Sequence, residues 1–174
     1  MEREIRIEAV GEESSAATVE TAQEMLLEYG RFVLEAEGPA RFCFGRLEDE
    51  AKGLPESYRE MGGELLLAWA KDSGGAEVGA GCVSYRAMKS MSGGCEMKRL
   101  WVRPGFRGSG LGERLTQELL LRARAAGYEA VYLDTFPAAM GSAYEMYLRL
   151  GFEECEPYHE SKAEGLVFMR RELG

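Results

Sequence analysis

An α/β fold, a central twisted mixed β-sheet of about seven strands with helices on both faces, is the architecture this sequence predicts. Three observations carry it. Strand-like and helix-like periodicities alternate along the chain. Three strands in the first half are separated only by Ser-Gly-Gly turns, which makes antiparallel neighbours the economical pairing. The second half runs strand, helix, strand, helix, strand, and this order implies a parallel crossover from the strand at 95–102 to the one at 130–133. With 174 residues, 45% of them apolar, the chain can bury one sizeable core, and a single domain over residues 3–174 is expected.

Glu4-Ile5-Arg6-Ile7-Glu8 alternates as a half-exposed first strand. Ser14, Ser15, Thr18 and Glu20 supply helix-start chemistry. Val19, Ala22, Met25, Leu26, Tyr29 and Val33 then keep helical spacing to about Glu35. From Gly38 to Gly63 the text is irregular, with Phe42-Cys43-Phe44 and Leu54-Pro55-Glu56 as its fixed points, and reads as a mobile or substrate-facing segment. Strands follow at 64–70, 77–85 and 95–102. Leu111, Leu115, Leu119, Ala123 and Ala126 mark an amphipathic helix closed by Gly127. Ala130 to Leu133 is a short buried strand, and 139–150 a second helix ending at Gly151. The final strands are 152–155 and 166–169, joined by the polar loop 157–165.

Composition excludes several classes of function. The longest apolar run, Leu65 to Ala70, falls far short of the roughly 20 residues a membrane span needs. The amino terminus has no hydrophobic signal core, so a cytoplasmic address is expected. A net charge of −9 argues against nucleic acid and against a polybasic membrane anchor. Cys43, Cys82, Cys95 and Cys155 lack CxxC spacing and read as small core residues. No metal-ligand cluster is visible in the sequence.

The segment 103–115, RPGFRGSGLGERL, places Gly105, Gly108, Gly110 and Gly112 between a strand and a helix. Glycine's conformational freedom there fits two readings: a tight connection, or a loop whose N–H groups converge on an anion at a helix start. From Met97 to Gly112 the chain carries Lys98, Arg99, Arg103 and Arg107 and no acid, a local positive field that favours the anion. The P-loop reading is weakened because no Gly-Lys dipeptide occurs. A dinucleotide fingerprint starting at Gly108 meets Glu113 where a third glycine or alanine belongs.

The run CEMKRLWVRPGFRGSGLGERL, positions 95 to 115, resembles the fourth strand and acetyl-CoA-binding loop of the GNAT N-acetyltransferases. Arg107, Gly110 and Gly112 fill their loop pattern. Tyr147-Leu148-Arg149-Leu150-Gly151-Phe152 is similar to their second signature, a tyrosine four residues before Gly-Phe. The resemblance covers nearly the whole chain, strongest from Leu65 to Phe168. The segments 133–137, 156–158 and 165–169 resemble a bacterial-type, small-molecule subgroup whose substrates are mostly unassigned. One position departs: many relatives have an asparagine where this chain has Met140.

The resemblance implies acetyl-CoA as cofactor, held by the backbone of Arg107, Gly108, Ser109, Gly110, Leu111 and Gly112. It also implies a bulge in the strand at 95–102, with Leu100, Trp101 and Val102 offering main-chain groups to the pantetheine arm and the thioester carbonyl. Met97, Leu100 and Val102 do break strict alternation, as a bulge would. An amine acceptor is mostly protonated at neutral pH, so a carboxylate that takes its proton is useful. Glu96 is the only acid on its strand and the candidate base. The competing reading is a strand carboxylate paired with Lys98. Tyr147 is the candidate acid for the departing thiolate, although Met140, Tyr144, Tyr147 and Leu148 share a helix face and could be core. Tyr144 is its alternate, and His159, the only histidine, reads as a solvated loop residue.

The expected reaction is N-acetylation by direct attack in a ternary complex. The acceptor, a small-molecule amine or a protein amino group, would enter between the 38–63 segment and the 157–165 loop. A homodimer is left open. The rivals are a non-catalytic acyl-CoA sensor or partner module and a nucleotide-binding protein of another fold.

Overall fold

A computed structural model describes residues 4–37, 44–161 and 163–174. Its frame is β1 (Ile5–Ala9), α1 (Ala16–Glu37), α2 (Phe44–Lys52), α3 (Glu56–Glu60), β2 (Glu64–Lys71), β3 (Glu77–Ala87), β4 (Gly94–Val102), α4 (Leu111–Ala125), β5 (Ala130–Thr135), α5 (Gly141–Arg149), β6 (Glu153–Glu154) and β7 (Val167–Glu172). One seven-stranded sheet runs in the order β1-β2-β3-β4-β5-β7-β6. All neighbours are antiparallel except β4 and β5, the parallel pair required by the crossover through α4.

Central strands are covered on both faces, so they read as continuous apolar runs. Along β2, Leu66 and Ala68 face a core shared with Leu111, Leu115 and Leu119 of α4, whereas Leu65 and Leu67 face one shared with Met25 and Leu26 of α1. This period-two division of side chains puts α1, α2 and α3 on one face and α4 on the other.

The 38–63 segment differs from the expectation. Its described part holds two helices, and Phe42 and Cys43 lie outside the described residues. Helix α2, FGRLEDEAK, buries Leu47 and Ala51 among its described side chains, four residues apart, and so short an apolar stripe does not show as periodicity. Gln23 Nε2 donates to the Ala51 carbonyl at 3.1 Å and ties it to α1. Helix α5 starts at Gly141, two residues later than expected, because Pro137 and the turn after it occupy the preceding positions.

Candidate active site

Strands β4 and β5 pair only over Gly94–Glu96 and Ala130–Tyr132. Beyond that point they separate, so the main chain of β4 from Met97 onward has no strand on this side. On its other side the register against β3 slips. Cys82 faces Trp101 and Ser84 faces Lys98, so Arg99 and Leu100 together oppose Val83, and this is the expected bulge. Arg99 has φ of 62°, the one positive value at a non-glycine among the described residues. A side chain in that region costs about 1–2 kcal/mol. Ser84 Oγ donates to the Lys98 carbonyl at 3.0 Å and Cys82 Sγ to the Arg99 carbonyl at 3.4 Å, fixing the bulge from β3. The split holds a cavity of about 70 Å³ lined by Tyr29, Leu100, Asp134, Met140 and Tyr147, among others.

At the far end of β4, a 3₁₀ turn (Pro104–Phe106) leads into the glycine loop. Gly108 and Gly110 have φ of 74° and 77°, values open to glycine at little cost. No side chain caps α4, and its first backbone bond runs from Arg114 N to the Gly110 carbonyl at 3.0 Å. The N–H groups of Gly108, Ser109, Gly110, Leu111, Gly112 and Glu113 have no acceptor among the described residues. Ser109 Oγ donates to the Phe106 carbonyl at 2.6 Å, which pins the turn.

Two of the predicted cofactor residues have their side chains engaged within the protein. Arg107 donates through Nε to the Val102 carbonyl at 3.0 Å and lies over the Trp101 ring at 4.9 Å. Trp101 donates to Glu28 at 3.1 Å under α1. The local positive field is also largely cancelled. Lys98 lies 3.6 Å from Glu96, Arg99 3.0 Å from Glu50 and Arg103 2.7 Å from Glu28. A count along 97–112 cannot see acids supplied by α1 and α2.

Glu96 is buried, 6% exposed, at the mouth of the split. Arg86 donates to its Oε2 through Nε at 3.1 Å and through a terminal nitrogen at 3.0 Å. Tyr158 donates to Oε1 at 3.2 Å. Burial works to raise its pKa, but Lys98, Arg86 and the hydrogen bonds from Arg86 and Tyr158 outweigh burial and hold it below the usual 4.5. The pairing with Lys98 is therefore present, yet within a buried, multiply bonded corner rather than on an open strand face.

His159 is an exposed loop residue, as expected, but it is not without a partner. Its Nε2 sits 2.6 Å from Asp134 Oδ2 and its ring 4.9 Å from that of Phe168. The start of this loop folds back because Tyr158 packs edge-on against Tyr132 at 5.6 Å and Phe168 at 5.0 Å. One donor atom each of Glu96, Asp134 and His159 lies within 4.8 Å of the other two, so this corner gathers three groups able to ligate a metal, which their sequence spacing hid. A second cavity, about 820 Å³, is lined by Glu60, Arg86, Glu96, Lys98, Tyr158, His159 and their neighbours, between the two segments where the acceptor was expected.

Tyr147 is 7% exposed, with its ring 5.6 Å from Phe152. Burial, reinforced by Tyr29 and Asp134, pushes its pKa up, so the phenol stays protonated. It lines the split, and its hydroxyl has no hydrogen-bond partner among the described residues. Tyr144, its alternate, instead donates to Glu154 at 2.5 Å, away from the split.

Residues 37–152 match the acetyltransferase (GNAT) family. The chain belongs to that family. It is 34% identical over 130 residues to an uncharacterized N-acetyltransferase of Schizosaccharomyces pombe, covering 75% of this chain and 76% of the relative. A GNAT acetyltransferase of Staphylococcus aureus superposes with a TM-score of 0.71 at 18% identity, covering 98% of this chain and all of the other, 100%. A phosphinothricin acetyltransferase of Sinorhizobium meliloti, solved with acetyl-CoA, has a TM-score of 0.66 at 21% identity over 100% of this chain and 90% of its own. This GNAT enzyme is an N-acetyltransferase with acyl-CoA as cosubstrate.

Sequence reasoning missed Arg86, Asp134, Tyr158 and His159 as members of the corner. Only Tyr158, an aromatic residue after Pro157 in a polar loop, left a signal that it packs inward.

Proposed function

We propose that this GNAT enzyme transfers the acetyl group of acetyl-CoA directly to a primary amine held beside Glu96, in a ternary complex. The observation that carries the reading is the row of unpartnered amides from Gly108 to Glu113 at the uncapped start of α4. Such a row, with the positive end of the helix dipole behind it, suits the diphosphate of coenzyme A. Gly112 lies against Val102 and Met146, so the loop adjoins the end of the split through which the pantetheine arm would run.

In this reading the amine nitrogen attacks the thioester carbonyl, the main chain at Leu100–Val102 steadies the oxyanion, and the C–S bond breaks. Tyr147 protonates the departing thiolate. Glu96, held ionised by Arg86 and Lys98, attracts the ammonium and takes its proton. Because so stabilised a carboxylate is a weak base, the proton passes on to water in the open cavity beside it.

Direct attack is favoured over an acyl-cysteine. Burial drives the Cys82 and Cys95 thiols up to about 12, leaving almost no thiolate at neutral pH. The acting unit is the single domain over 3–174, supported by one continuous sheet. The acceptor is a small-molecule amine or a protein amino group. A cytoplasmic setting is supported by the described cysteines, Cys82, Cys95 and Cys155, all being free.

The test is thiol release from acetyl-CoA across a panel of amines, with mass spectrometry for the acetylated product. Intersecting initial-rate plots are expected, and parallel plots would point to an acyl-enzyme. Binding of acetyl-CoA with no thiol release for any amine would leave the non-catalytic sensor.

A further inference from the structure

Arg99 is an unusual residue to find in left-handed backbone, since its Cβ crowds the following carbonyl in that conformation. It sits where β4 bulges and parts from β5. Its side chain does not point at the open cavity beside Glu96. It runs to the face of the sheet covered by α1, α2 and α3, where Nε donates to Glu50 Oε2 at 3.0 Å and the guanidinium lies over the Tyr29 ring at 5.6 Å. Both partners of the pair are nearly enclosed, with side chains 12% and 10% exposed. Burial works against the Arg99 charge, and Glu50 outweighs it.

Glu50 is itself firmly placed. It belongs to α2, which is anchored by the buried Leu47 and Ala51 and by the bond from Gln23. Ser57 Oγ donates to the Glu50 carbonyl at 3.0 Å and ties it to α3. Tyr58, also buried, brings its hydroxyl near the same carboxylate, and that hydroxyl has no hydrogen-bond partner among the described residues.

We propose that Glu50 and Arg99 are positioning residues: the buried ion pair holds residue 99 in its left-handed conformation and so keeps the β4 bulge, and with it the split for acyl-CoA, open. A buried pair of this kind is weak evidence for stability alone, because a well-packed apolar pair often serves as well. What an apolar pair would not supply is a fixed link from α2 to a strained backbone position. The proposal rests on the reading that the split receives acyl-CoA.

Glycine adopts φ near 62° without strain, and alanine does not. Coenzyme A affinity, measured by calorimetry on the intact chain, therefore separates the two: Arg99→Gly should bind about tenfold more tightly than Arg99→Ala, although each leaves Glu50 equally unpaired. Glu50→Gln alone should weaken binding about tenfold and raise the KM for acetyl-CoA more than that for the amine. In the Arg99→Gly background, adding Glu50→Gln should change affinity less than about twofold, because Glu50 acts only through Arg99. A purely structural pair would lower the melting temperature and leave the affinity of the folded fraction unchanged. Equal affinity for the glycine and alanine variants, or wild-type affinity in Glu50→Gln, overturns the proposal. Should Arg99→Ala not fold, the Glu50→Gln comparison in the two backgrounds decides it. Failure of the wild-type chain to bind coenzyme A would remove the reading of the split as well, and so is distinct from failure of the pair.

Discussion

Gly110 combines a left-handed backbone with open space, since an added Cβ would meet nothing within 4 Å. Gly110→Ala should therefore weaken coenzyme A binding through backbone strain alone. Gly110→Asp adds a carboxylate beside the proposed diphosphate site and should bind at least about tenfold more weakly than the alanine variant in low salt, as calorimetry would show. Tyr147→Phe removes the proposed acid while keeping the ring against Phe152. Steady-state kinetics should show kcat reduced about 10²-fold with coenzyme A affinity unchanged. Glu96 makes a prediction about stability. Its folded pKa lies below the usual 4.5, so the stabilisation it contributes is complete above that value and is lost as pH falls through the folded pKa. Melting curves of wild type and Glu96→Gln should differ most near neutrality and converge in acid, and a gap that stays constant with pH would argue against the linkage.

Among the elements, those with a strong period or a clear terminator were legible in the sequence, and those without were not. Strands β2, β3 and β4 are each bounded by glycine turns. The broken alternation of Met97, Leu100 and Val102 announced the bulge because two residues must share one position against β3. Helix α2 went unseen because Leu47 and Ala51, a single i, i+4 pair in a short and otherwise mostly charged segment, make no stripe. The candidate site was half legible: Glu96 and Tyr147 sit within recognisable motifs, whereas Arg86, Asp134 and His159 reach it only through strand register and loop packing that no local spacing encodes. Register also sets tolerance to mutation. A Cβ at Gly63 would stand 1.7 Å from the Tyr85 carbonyl oxygen, a backbone atom that cannot yield without parting β2 from β3. Gly63→Ala should cost about 3 kcal/mol or more by denaturant unfolding, a loss in the class of severe overpacking.

Across the whole molecule, charge is organised against its net sign. The chain carries −9 overall, yet Arg86, Lys98 and Arg99 on the sheet and Arg103 just beyond β4 are each paired with a carboxylate, which converts them from an anion-attracting field into internal struts. In the proposed reading the diphosphate is then held mainly by the backbone amides and dipole of α4. Among the described residues no helix is long and apolar enough to cross a membrane. The most direct measurement of this central claim is amide hydrogen exchange with and without saturating coenzyme A. Strong protection of the amides from Gly108 to Glu113 is expected on binding. Unchanged exchange at those amides while coenzyme A is bound would contradict the account.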